Sequence, residues 1–439
     1  MVSLVPSTLE EWLAYQAQVH PRAIDLSLGR LTEVLTRLQW RRPALPVITV
    51  AGTNGKGSVV AFCEAILAAA GCKVGTFTSP HLRDYRERIR VADRNVEDAQ
   101  LIAAFERIER ARDGIGLTFF EYNTLAALLI LEASQLDAWI LEVGMGGRFD
   151  AVNVVDPDVA VVVSIGFDHM EFLGRSLDEI GREKAGIFRA GRAAVIGSRD
   201  PPAVLEATAT ALGAPLKRLG MEFDYTRSAK LWHFRGLRWD LPDLPPPALR
   251  GDQQYENAAT AIAALEELKL RAPVSAAAVV QGLTAVRLVG RFQVIPGKTA
   301  AGATAGPTWI LDVAHNPAAA RVLAGNLRSL PSRGRTLAVC GILADKDADG
   351  IFEELAASID AWLFVSTDGE RGSTGESLAA RFGVQRGASL VGSATGVYDD
   401  IPAACAAALA AADPHDRIVV FGSFHTVGPA LAWLEAGGL

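Results

Sequence analysis

Residues 46–62 read PVITVAGTNGKGSVVAF, which is an apolar run, a glycine-rich turn and then a helical stretch. Three glycines within six positions free the backbone amides to approach a phosphate at the positive end of the next helix. A strict phosphate-loop pattern fails here, because Gly57 rather than Ser or Thr follows Lys56, and Val50 stands where the first glycine belongs. The order strand, loop and helix favours a nucleotide site over a tight turn that carries an exposed lysine.

Short, continuously apolar runs alternate with helical stretches from Pro46 onwards. Such runs are typical of strands that are buried on both faces of a parallel sheet. The candidates are PVITVAG, KVGTFTS, AWILEVG, DVAVVVSIG and AAVIGS. The pattern also predicts helices over 58–70, which Gly71 ends, and over 122–134. We therefore predict an α/β protein whose first domain is a doubly wound sheet of the phosphate-loop ATPase type.

A second α/β pattern begins after LVGRFQVI. Its predicted strands are WILDVA, TLAVCGI, AWLFVST and RIVVFGS, with helices at about 317–329, 349–358, 375–382 and 396–412. We predict two domains, residues 1–290 and a smaller Rossmann-like domain over residues 291–439.

Two stretches lack this pattern. The prolines after Asp240 predict a loop without regular structure, and a helix from about Glu256 then closes the first domain. Residues 297–307, GKTAAGATAGP, predict a surface hairpin loop between two strands, to which we assign no chemistry.

The composition excludes several classes of protein. Half of the 439 residues are hydrophobic and 21% are charged, which is typical of globular domains. The net charge is −7 and no run of Lys and Arg is dense, so we expect no nucleic-acid partner. The four cysteines show neither disulfide nor zinc spacing and are predicted to be small core residues. With no signal-like start and no apolar run near the roughly 20 residues that span a bilayer, we expect a cytoplasmic protein without a membrane partner.

Polar side chains follow three strands of the predicted first sheet. Ser79 and His81 follow the second strand, where the serine hydroxyl would complete a metal shell or belong to an ordinary Ser-Pro turn. Glu142 ends an apolar strand, which suits a bound Mg²⁺ or a salt bridge to an arginine. Asp168 and His169 end another strand, and from its chemistry alone His169 fits an acid/base residue or a buried core histidine.

The remaining polar motifs are less specific. Glu183 and Lys184 in GREKAGIF fit a solvated helix face. In the second domain, DVAHNP ends a strand with Asp312 and then begins a helix at Asn316-Pro317, and GSFHT repeats this form with Ser423. Both predicted domains thus present polar strand ends.

Taken together, these motifs resemble one family over nearly the whole chain. GTNGKGS, SPHL, LEVGMGGRFDA, DH followed by LG, GREKAGI, ENAATA, GRFQ, DVAHNP and GSFHT occur in the order found in the dihydrofolate synthase/folylpolyglutamate synthase family of the Mur ligase superfamily. The phosphate loop of that superfamily carries Gly after Lys, which accounts for the broken pattern. The resemblance implies the Mur ligase fold and an ATP-dependent amide ligase that joins L-glutamate to a carboxylate through an acyl phosphate.

The resemblance also implies site residues. The nucleotide-binding positions are Thr53, Asn54, Gly55, Lys56, Gly57, Ser58, Asn257, Arg291 and Asp312. The positions for the pterin substrate are Leu26, Ser27, Leu28, Gly29, Thr118, Phe119, Phe120, Glu121, Phe149, Asp150 and Ala151. His315 and Ser423 match glutamate positions, and the implied catalytic set is Lys56, Lys184 and His315.

The implied cofactors are ATP and two Mg²⁺ ions, held by Ser79, Glu142 and His169. Lys184 matches a lysine that is carbamylated in the family, and a monovalent cation is a further candidate cofactor. We expect a monomer that binds dihydropteroate, reduced folates and L-glutamate.

Three alternatives stay open. A monofunctional folylpolyglutamate synthase would lack the reaction with dihydropteroate, although the retained pterin positions favour both activities. Cell-wall Mur ligases carry a UDP-binding domain before the ATP loop, whereas here the loop begins at Gly52. A phosphate-loop ATPase without ligase activity would not need the polar strand ends of the second domain.

Overall fold

The computed structural model describes residues 6–297, 306–369, 371–386 and 395–437, without the side chains of residues 384–386 and 395. Two compact units are present. The first comprises Met1–Gly166, Met170–Ala248 and Tyr255–Val286, and the second comprises Phe167–His169, Leu249–Gln254 and Arg287–Leu439. Residues 298–305 of the predicted hairpin loop lie outside the described part of the chain.

An eight-stranded sheet forms the centre of the first unit. Its strands are β1 (Val47–Ala51), β2 (Val74–Phe77), β3 (Ile89–Val91), β4 (Arg94–Asn95), β5 (Ala138–Glu142), β6 (Val159–Val162), β7 (Ala193–Ile196) and β8 (Leu216–Arg218). The order is β4-β3-β2-β5-β1-β6-β7-β8. The strands from β2 to β8 in this order are parallel, while β3 and β4 pair antiparallel at one edge. Every residue of β1, β2, β5, β6 and β7 is buried, which explains the continuous apolar runs.

Helices connect and cover these strands. Up to residue 285 they are α1 (Leu9–Val19), α2 (Gly29–Arg37), α3 (Lys56–Ala69), α4 (Asp98–Arg112), α5 (Phe119–Ala133), α6 (Met170–Leu173), α7 (Leu177–Ala185), α8 (Ala203–Leu212), α9 (Gln253–Glu267) and α10 (Ala276–Ala285). Short 3-10 helices span Tyr85–Arg88 and Ala151–Val154. Among the described residues, no helix combines the length and the apolar character that a membrane crossing requires.

A small antiparallel sheet in the first unit was missed by the sequence prediction. It consists of β9 (Asp224–Arg227), β10 (Trp232–Arg235) and β11 (Asp240–Leu244). The prediction that prolines exclude regular structure after Asp240 is wrong for β11, which contains Pro242. This strand lies at the sheet edge and its pairing with β10 is irregular, and both conditions tolerate a residue without an amide hydrogen.

The second unit contains a six-stranded sheet. Its strands are β12 (Gln293–Gly297), β13 (Gly306–Asp312), β14 (Thr336–Cys340), β15 (Ala361–Val365), β16 (Thr395–Tyr398) and β17 (Arg417–Phe421), in the order β12-β13-β17-β14-β15-β16. Only β12 pairs antiparallel with its neighbour. The helices are α11 (Pro317–Ser329), α12 (Ala348–Leu355), α13 (Gly375–Arg386), α14 (Ile401–Ala411) and α15 (Phe424–Glu435), with a 3-10 turn at Ala356–Ser358.

Most elements of the second unit match the sequence prediction. The exception is the helix predicted over 396–412, because its first residues form the edge strand β16 and the helix begins only at Ile401. Asp400 caps this helix by accepting a hydrogen bond from the amide of Ala403. A short polar strand directly before an alanine-rich helix has too few residues to show a period of its own.

Candidate active site

The glycine-rich loop between β1 and α3 is fixed by the loop that follows β6. The Thr53 amide donates to the Ser164 carbonyl at 2.8 Å, and the Asn54 amide donates to Ser164 Oγ at 3.0 Å. Thr53 Oγ1 also accepts from the Gly166 amide at 3.0 Å. Because β1 and β6 are neighbouring parallel strands, both loops leave the same edge of the sheet. Hydrogen bonds within the protein therefore join the glycine-rich loop to the loop after β6.

Gly55 sets the geometry at the start of α3. It has a φ of +86° and occupies the N-cap position, where it has no side chain to cover the first helical amides. A Cβ atom at Gly55 would lie 2.7 Å from Asn257 Oδ1 and 2.8 Å from Val163 Cγ1. The structure thus brings Asn257, a predicted nucleotide residue from α9, against the loop. Ser58 is buried in the first turn of the same helix.

Two lysine side chains converge on one carbonyl of this loop. Lys56 Nζ donates to the Gly52 carbonyl at 3.0 Å, and Lys184 Nζ donates to the same oxygen at 3.1 Å. Lys184, in the last turn of α7, is only 4% exposed, so the expectation of a solvated helix face is wrong for this residue. Two ammonium groups at one oxygen repel each other in a protein interior, and an anion beside them would be stabilised by both.

Ser79 and Glu142 lie together at the ends of β2 and β5. The Ser79 amide donates to Glu142 Oε2 at 3.3 Å, and Glu142 is 5% exposed. A carboxylate beside a hydroxyl provides the oxygen ligands that Mg²⁺ prefers. Across the described residues, no three His, Cys, Asp or Glu side chains form a metal-binding group. His169 is grouped with the second unit, so its role as a third ligand stays a prediction.

The sequence prediction missed a buried arginine beside these residues. Arg88 is 8% exposed and its Nε donates to His81 Nδ1 at 2.8 Å, which places the His81 proton on Nε2. Its guanidinium lies 5.7 Å from the centre of the Phe119 ring. Burial lowers the pKa of Arg88, and the Glu142 carboxylate opposes that effect. Nothing in the local pattern of the charged run RERIR distinguishes this arginine from its half-buried neighbours Arg86 and Arg90.

The predicted TFFE segment forms the start of α5. Thr118 Oγ1 accepts from the Glu121 amide at 3.2 Å, and Glu121 Oε2 accepts from the Thr118 amide at 2.8 Å, which is a capping box. A Cβ atom at Gly144 would lie 2.5 Å from the Phe120 ring, so this ring packs directly on the glycine-rich loop after β5. The TFFE segment therefore lies against the loop that leads to the second predicted pterin segment, Phe149 to Ala151.

Asp150 is a buried carboxyl in that second segment. It is 2% exposed and accepts hydrogen bonds from the amides of Met145 at 2.9 Å and Val152 at 3.0 Å. Burial raises the pKa of Asp150 to about 6, although these amides act in the opposite direction. Its neighbour Phe149 is 41% exposed, and the Arg148 guanidinium lies 4.9 Å from the centre of its ring.

In the second unit, Asp312 ties the end of β13 to the residues before β12. It accepts from the amides of Phe292 and Ala314, both at 2.8 Å. Burial raises the pKa of Asp312, and the nearby Arg291 guanidinium lowers it in part. The two predicted nucleotide residues of this unit are therefore electrostatic partners, and the Arg291 guanidinium also lies 5.1 Å from the Phe424 ring centre.

The two residues that are predicted to bind L-glutamate, His315 and Ser423, make hydrogen bonds within the second unit. His315 Nδ1 donates to the Val313 carbonyl at 2.9 Å, which leaves Nε2 at 3.3 Å from Asp168 Oδ2. Ser423 is the N-cap of α15 and accepts from the Thr426 amide at 3.1 Å. Because the Ser423 hydroxyl caps this helix, its position is explained without a bound ligand.

A buried charge cluster surrounds Asp168 in that unit. Lys346 Nζ donates to Asp168 Oδ1 at 2.6 Å, with only 5% of the lysine side chain exposed. Burial raises the pKa of Asp168, but His315, His169 and Lys346 together hold it well below its usual range. Burial lowers the pKa of His169 to about 4, which keeps the imidazole neutral near pH 7. The sequence prediction missed Lys346, because only its position just after β14 could have indicated it.

Comparison with known proteins identifies the family. Residues 50–233 match the model of the Mur ligase middle domain, and residues 290–424 match that of the Mur ligase glutamate ligase domain. The chain is 43% identical over 430 residues to the dihydrofolate synthase/folylpolyglutamate synthase of Escherichia coli K12, with 98% of this chain and 96% of the relative covered. The chain belongs to the dihydrofolate synthase/folylpolyglutamate synthase family of Mur ligases.

Solved structures extend this finding to the fold. E. coli FolC in complex with DHPP and ADP has a TM-score of 0.90 at 42% identity, with 98% of this chain and 99% of that chain covered. A bifunctional folylpolyglutamate synthase/dihydrofolate synthase with Mn, AMPPNP and L-glutamate bound has a TM-score of 0.87 at 40% identity, with 98% and 100% covered. The predicted family and the Mur ligase fold are therefore confirmed, and the chain is an ATP-dependent ligase of this family.

Replacing Gly55 by alanine should weaken nucleotide binding by about tenfold or more, because a φ of +86° and two close contacts both oppose a Cβ atom. The measurement is the dissociation constant of ADP by calorimetry. Gly71→Ala is the matched control, since Gly71 has a φ of +83° but no atom within 4 Å of the added Cβ. The control should lose stability and keep its affinity, and equal affinities in both variants would contradict the prediction.

Asp150 should make stability depend on pH. Because its folded pKa of about 6 exceeds the usual value of 3.8, the folded state favours the protonated form, and this stabilisation is lost as the pH rises from about 4 to about 6. Relative to wild type, Asp150→Asn should therefore gain stability over that window, by up to about 3 kcal/mol. Urea titrations at several pH values measure the difference. The exposed Asp113→Asn is the control, and parallel curves for Asp150→Asn and wild type would refute the expectation.

Proposed function

We propose that this chain adds L-glutamate to dihydropteroate, forming dihydrofolate, and to reduced folates, forming folylpolyglutamates. The observation that carries the proposal is the glycine-rich loop with two lysines on the Gly52 carbonyl, in a chain that matches the E. coli enzyme over 98% of its length. The relatives with DHPP, ADP, AMPPNP and L-glutamate support the same substrates for this chain.

The reaction requires activation because a carboxylate resists attack by an amine. Transfer of the γ-phosphoryl group of ATP to the acid gives an acyl phosphate and ADP. The amine of L-glutamate then attacks the acyl carbon, loses a proton and releases phosphate. Residues Thr53 to Ser58 would bind the phosphates with their amides, and Lys56 would stabilise the charge that develops on the transferred oxygens.

A divalent cation fits the residues at the ends of β2 and β5. Glu142 and the Ser79 hydroxyl would hold it, since both supply oxygen and the carboxylate is buried next to the loop strand. The cation would add counter-charge to the phosphates. The relative with Mn bound supports a divalent ion, whereas two Mg²⁺ ions, a monovalent cation and ligation by His169 stay predictions.

Lys184 matches the lysine that is carbamylated in the family, and its place beside the phosphate loop supports the same modification here. Lys184 is buried, and its Nζ donates to the Gly52 carbonyl, as Lys56 Nζ does. Carbamylation joins the deprotonated amine to CO₂ with loss of a proton and converts the cation into an anion. Such a group would balance Lys56 and offer an oxygen ligand to a cation or a carboxylate partner to the substrate amine.

The other assignments follow the two predicted domains. We assign ATP and pterin binding to residues 1–290 and glutamate ligation to residues 291–439, where His315 and Ser423 would contact L-glutamate. Arg291 and Asp312 stay predicted nucleotide residues. The monomeric state and the cytoplasmic location also stay predictions.

The purified protein with ATP and Mg²⁺ should release phosphate only when L-glutamate and an acid are both added. The acids are dihydropteroate and a reduced folate, assayed separately, with phosphate measured by a coupled assay and the amide product by mass spectrometry. Activity with the reduced folate but not with dihydropteroate would indicate a monofunctional folylpolyglutamate synthase. Phosphate release that needs no glutamate would leave only an ATPase.

Removal of CO₂ should slow the wild-type enzyme, and bicarbonate should restore its rate, if Lys184 is carbamylated. Lys184→Ala should lose most activity and gain none from bicarbonate. Lys73→Ala, which changes an exposed lysine of the same unit, is the control and should behave as wild type. A wild-type rate that is independent of CO₂, together with no ¹³CO₂ label on Lys184 by NMR, would exclude the carbamate.

A further inference from the structure

Arg30, in the first turn of α2, joins two chain segments that lie about 90 residues apart in sequence. Its Nη1 lies 3.2 Å from Asp25 Oδ1, and its Nη2 donates to the Asp25 carbonyl at 3.0 Å. On the other side, Nη2 lies 3.2 Å from Glu121 Oε1 and Nε lies 3.4 Å from Glu121 Oε2. One guanidinium thus bridges the loop before α2 and the N-terminus of α5. We call Asp25, Arg30 and Glu121 the Arg30 clamp.

The Arg30 clamp is a partly buried ion-pair network rather than a surface contact. Only 4% of the Glu121 side chain is exposed, against 24% for Arg30 and 23% for Asp25. Burial lowers the pKa of Arg30, but Glu121 and Asp25 raise it above its ordinary value, so the guanidinium stays charged. A buried carboxylate that loses its cationic partner is strongly destabilised, so breaking the ion pair between Arg30 and Glu121 is costly.

The Asp25 end of the clamp lies in backbone without regular structure, and the Glu121 end lies at the start of α5. Residues 22–28 lie in neither helix nor strand, and Leu28, the N-cap of α2, supplies no side-chain cap. The same Glu121 carboxylate that binds Arg30 also accepts the Thr118 amide at 2.8 Å, so it orients the first turn of α5. Fixing one side chain therefore fixes both segments.

In the proposed function, these two segments bind the pterin acid. Leu26 to Gly29 follow Asp25 directly, and Thr118 to Glu121 carry the aromatic rings of Phe119 and Phe120. A flat heterocycle bound between a loop and aromatic side chains gains affinity when both are held in place before it arrives. Arg30 reaches neither the phosphate loop nor a predicted metal ligand through the contacts above.

We propose that Arg30 is a positioning residue for the acid substrate, which preforms the pterin subsite by locking the loop at Asp25–Gly29 against the start of α5. The inference rests on the proposed function. Without Arg30, binding of the acid must order the loop, so the KM for the acid rises. The KM values for ATP and L-glutamate stay unchanged, and kcat at saturating acid changes little.

The test compares Arg30→Ala and Glu121→Gln with wild type in full steady-state kinetics, with dihydropteroate and a reduced folate as alternative acids. We expect the KM for the acid to rise by about tenfold in either variant, with the KM for ATP within about twofold of wild type. The double variant should be little worse than either single one, because both remove the same bridge. Arg30→Lys should be intermediate, since an ammonium group cannot span both carboxylates as the fork does.

Arg42→Ala is the matched control. Arg42 also joins a carboxylate and a carbonyl in the first unit, with Nη2 at 2.6 Å from Asp158 and Nε at 2.9 Å from the Asp156 carbonyl, but it touches neither pterin segment. It should lower the melting temperature and leave the KM for the acid unchanged.

Two results would overturn the inference. One is a KM for the acid that is unchanged in Arg30→Ala and Glu121→Gln. The other is a drop in kcat with all three KM values unchanged, which indicates a structural role only. If Arg30→Ala does not fold, Arg30→Lys decides the question, because Glu121 is itself a predicted pterin residue. A wild-type enzyme that turns over neither acid rejects the proposed function and the inference together. Normal wild-type turnover, with variants whose KM for the acid is unchanged, rejects the inference alone.

Discussion

Lys56 and Lys184 both donate hydrogen bonds to the carbonyl of Gly52, and this contact joins two helices of the first unit to the end of β1. Lys56 begins the helix directly after the loop, but Lys184 comes from the end of α7, so this contact fixes α7 against the end of β1. Two cations so close are tolerable in a protein interior only when negative charge lies nearby. A buried carboxyl, Asp150, lies close enough for the Lys56 charge to lower its pKa, and the first amides of α3 are suited to a bound phosphate.

The order of the strands then decides which other groups reach that anion. β1 lies between β5 and β6, and β2 lies beyond β5. Because these four strands are parallel, their carboxyl ends meet at one edge of the sheet and bring Ser79, Glu142 and Ser164 to the glycine-rich loop. Residues that are far apart in sequence thus become neighbours through strand order, without any local signal that pairs them.

The difference between local sequence patterns and contacts made through strand order explains which features the sequence could predict. Continuous apolar runs predicted the buried strands β1, β2, β5, β6 and β7, and the motif order predicted the family. Local patterns failed where the environment is set by distant residues. Lys184 lies in a charged stretch that is typical of a solvated helix face, but it is buried. Pro242 interrupts the pattern of a strand, although β11 tolerates it as an edge strand. Arg30, Arg88 and Lys346 were missed because each is defined by a partner from another element.

Three buried carboxylates around this sheet edge are compensated in different ways, and the differences separate their roles. Glu121 is bound to Arg30 and to the Thr118 amide, so its charge is used within the protein. Asp150 accepts hydrogen bonds from backbone amides, those of Met145 and Val152 among them, and burial raises its pKa to about 6, while these amides and the Lys56 charge act in the opposite direction. Glu142 ends a strand beside Ser79 and next to the strand of the phosphate loop. Of the three, Glu142 is the carboxylate whose position suits a cation shared with phosphates, since Glu121 is paired with Arg30 and both oxygens of Asp150 accept backbone amides.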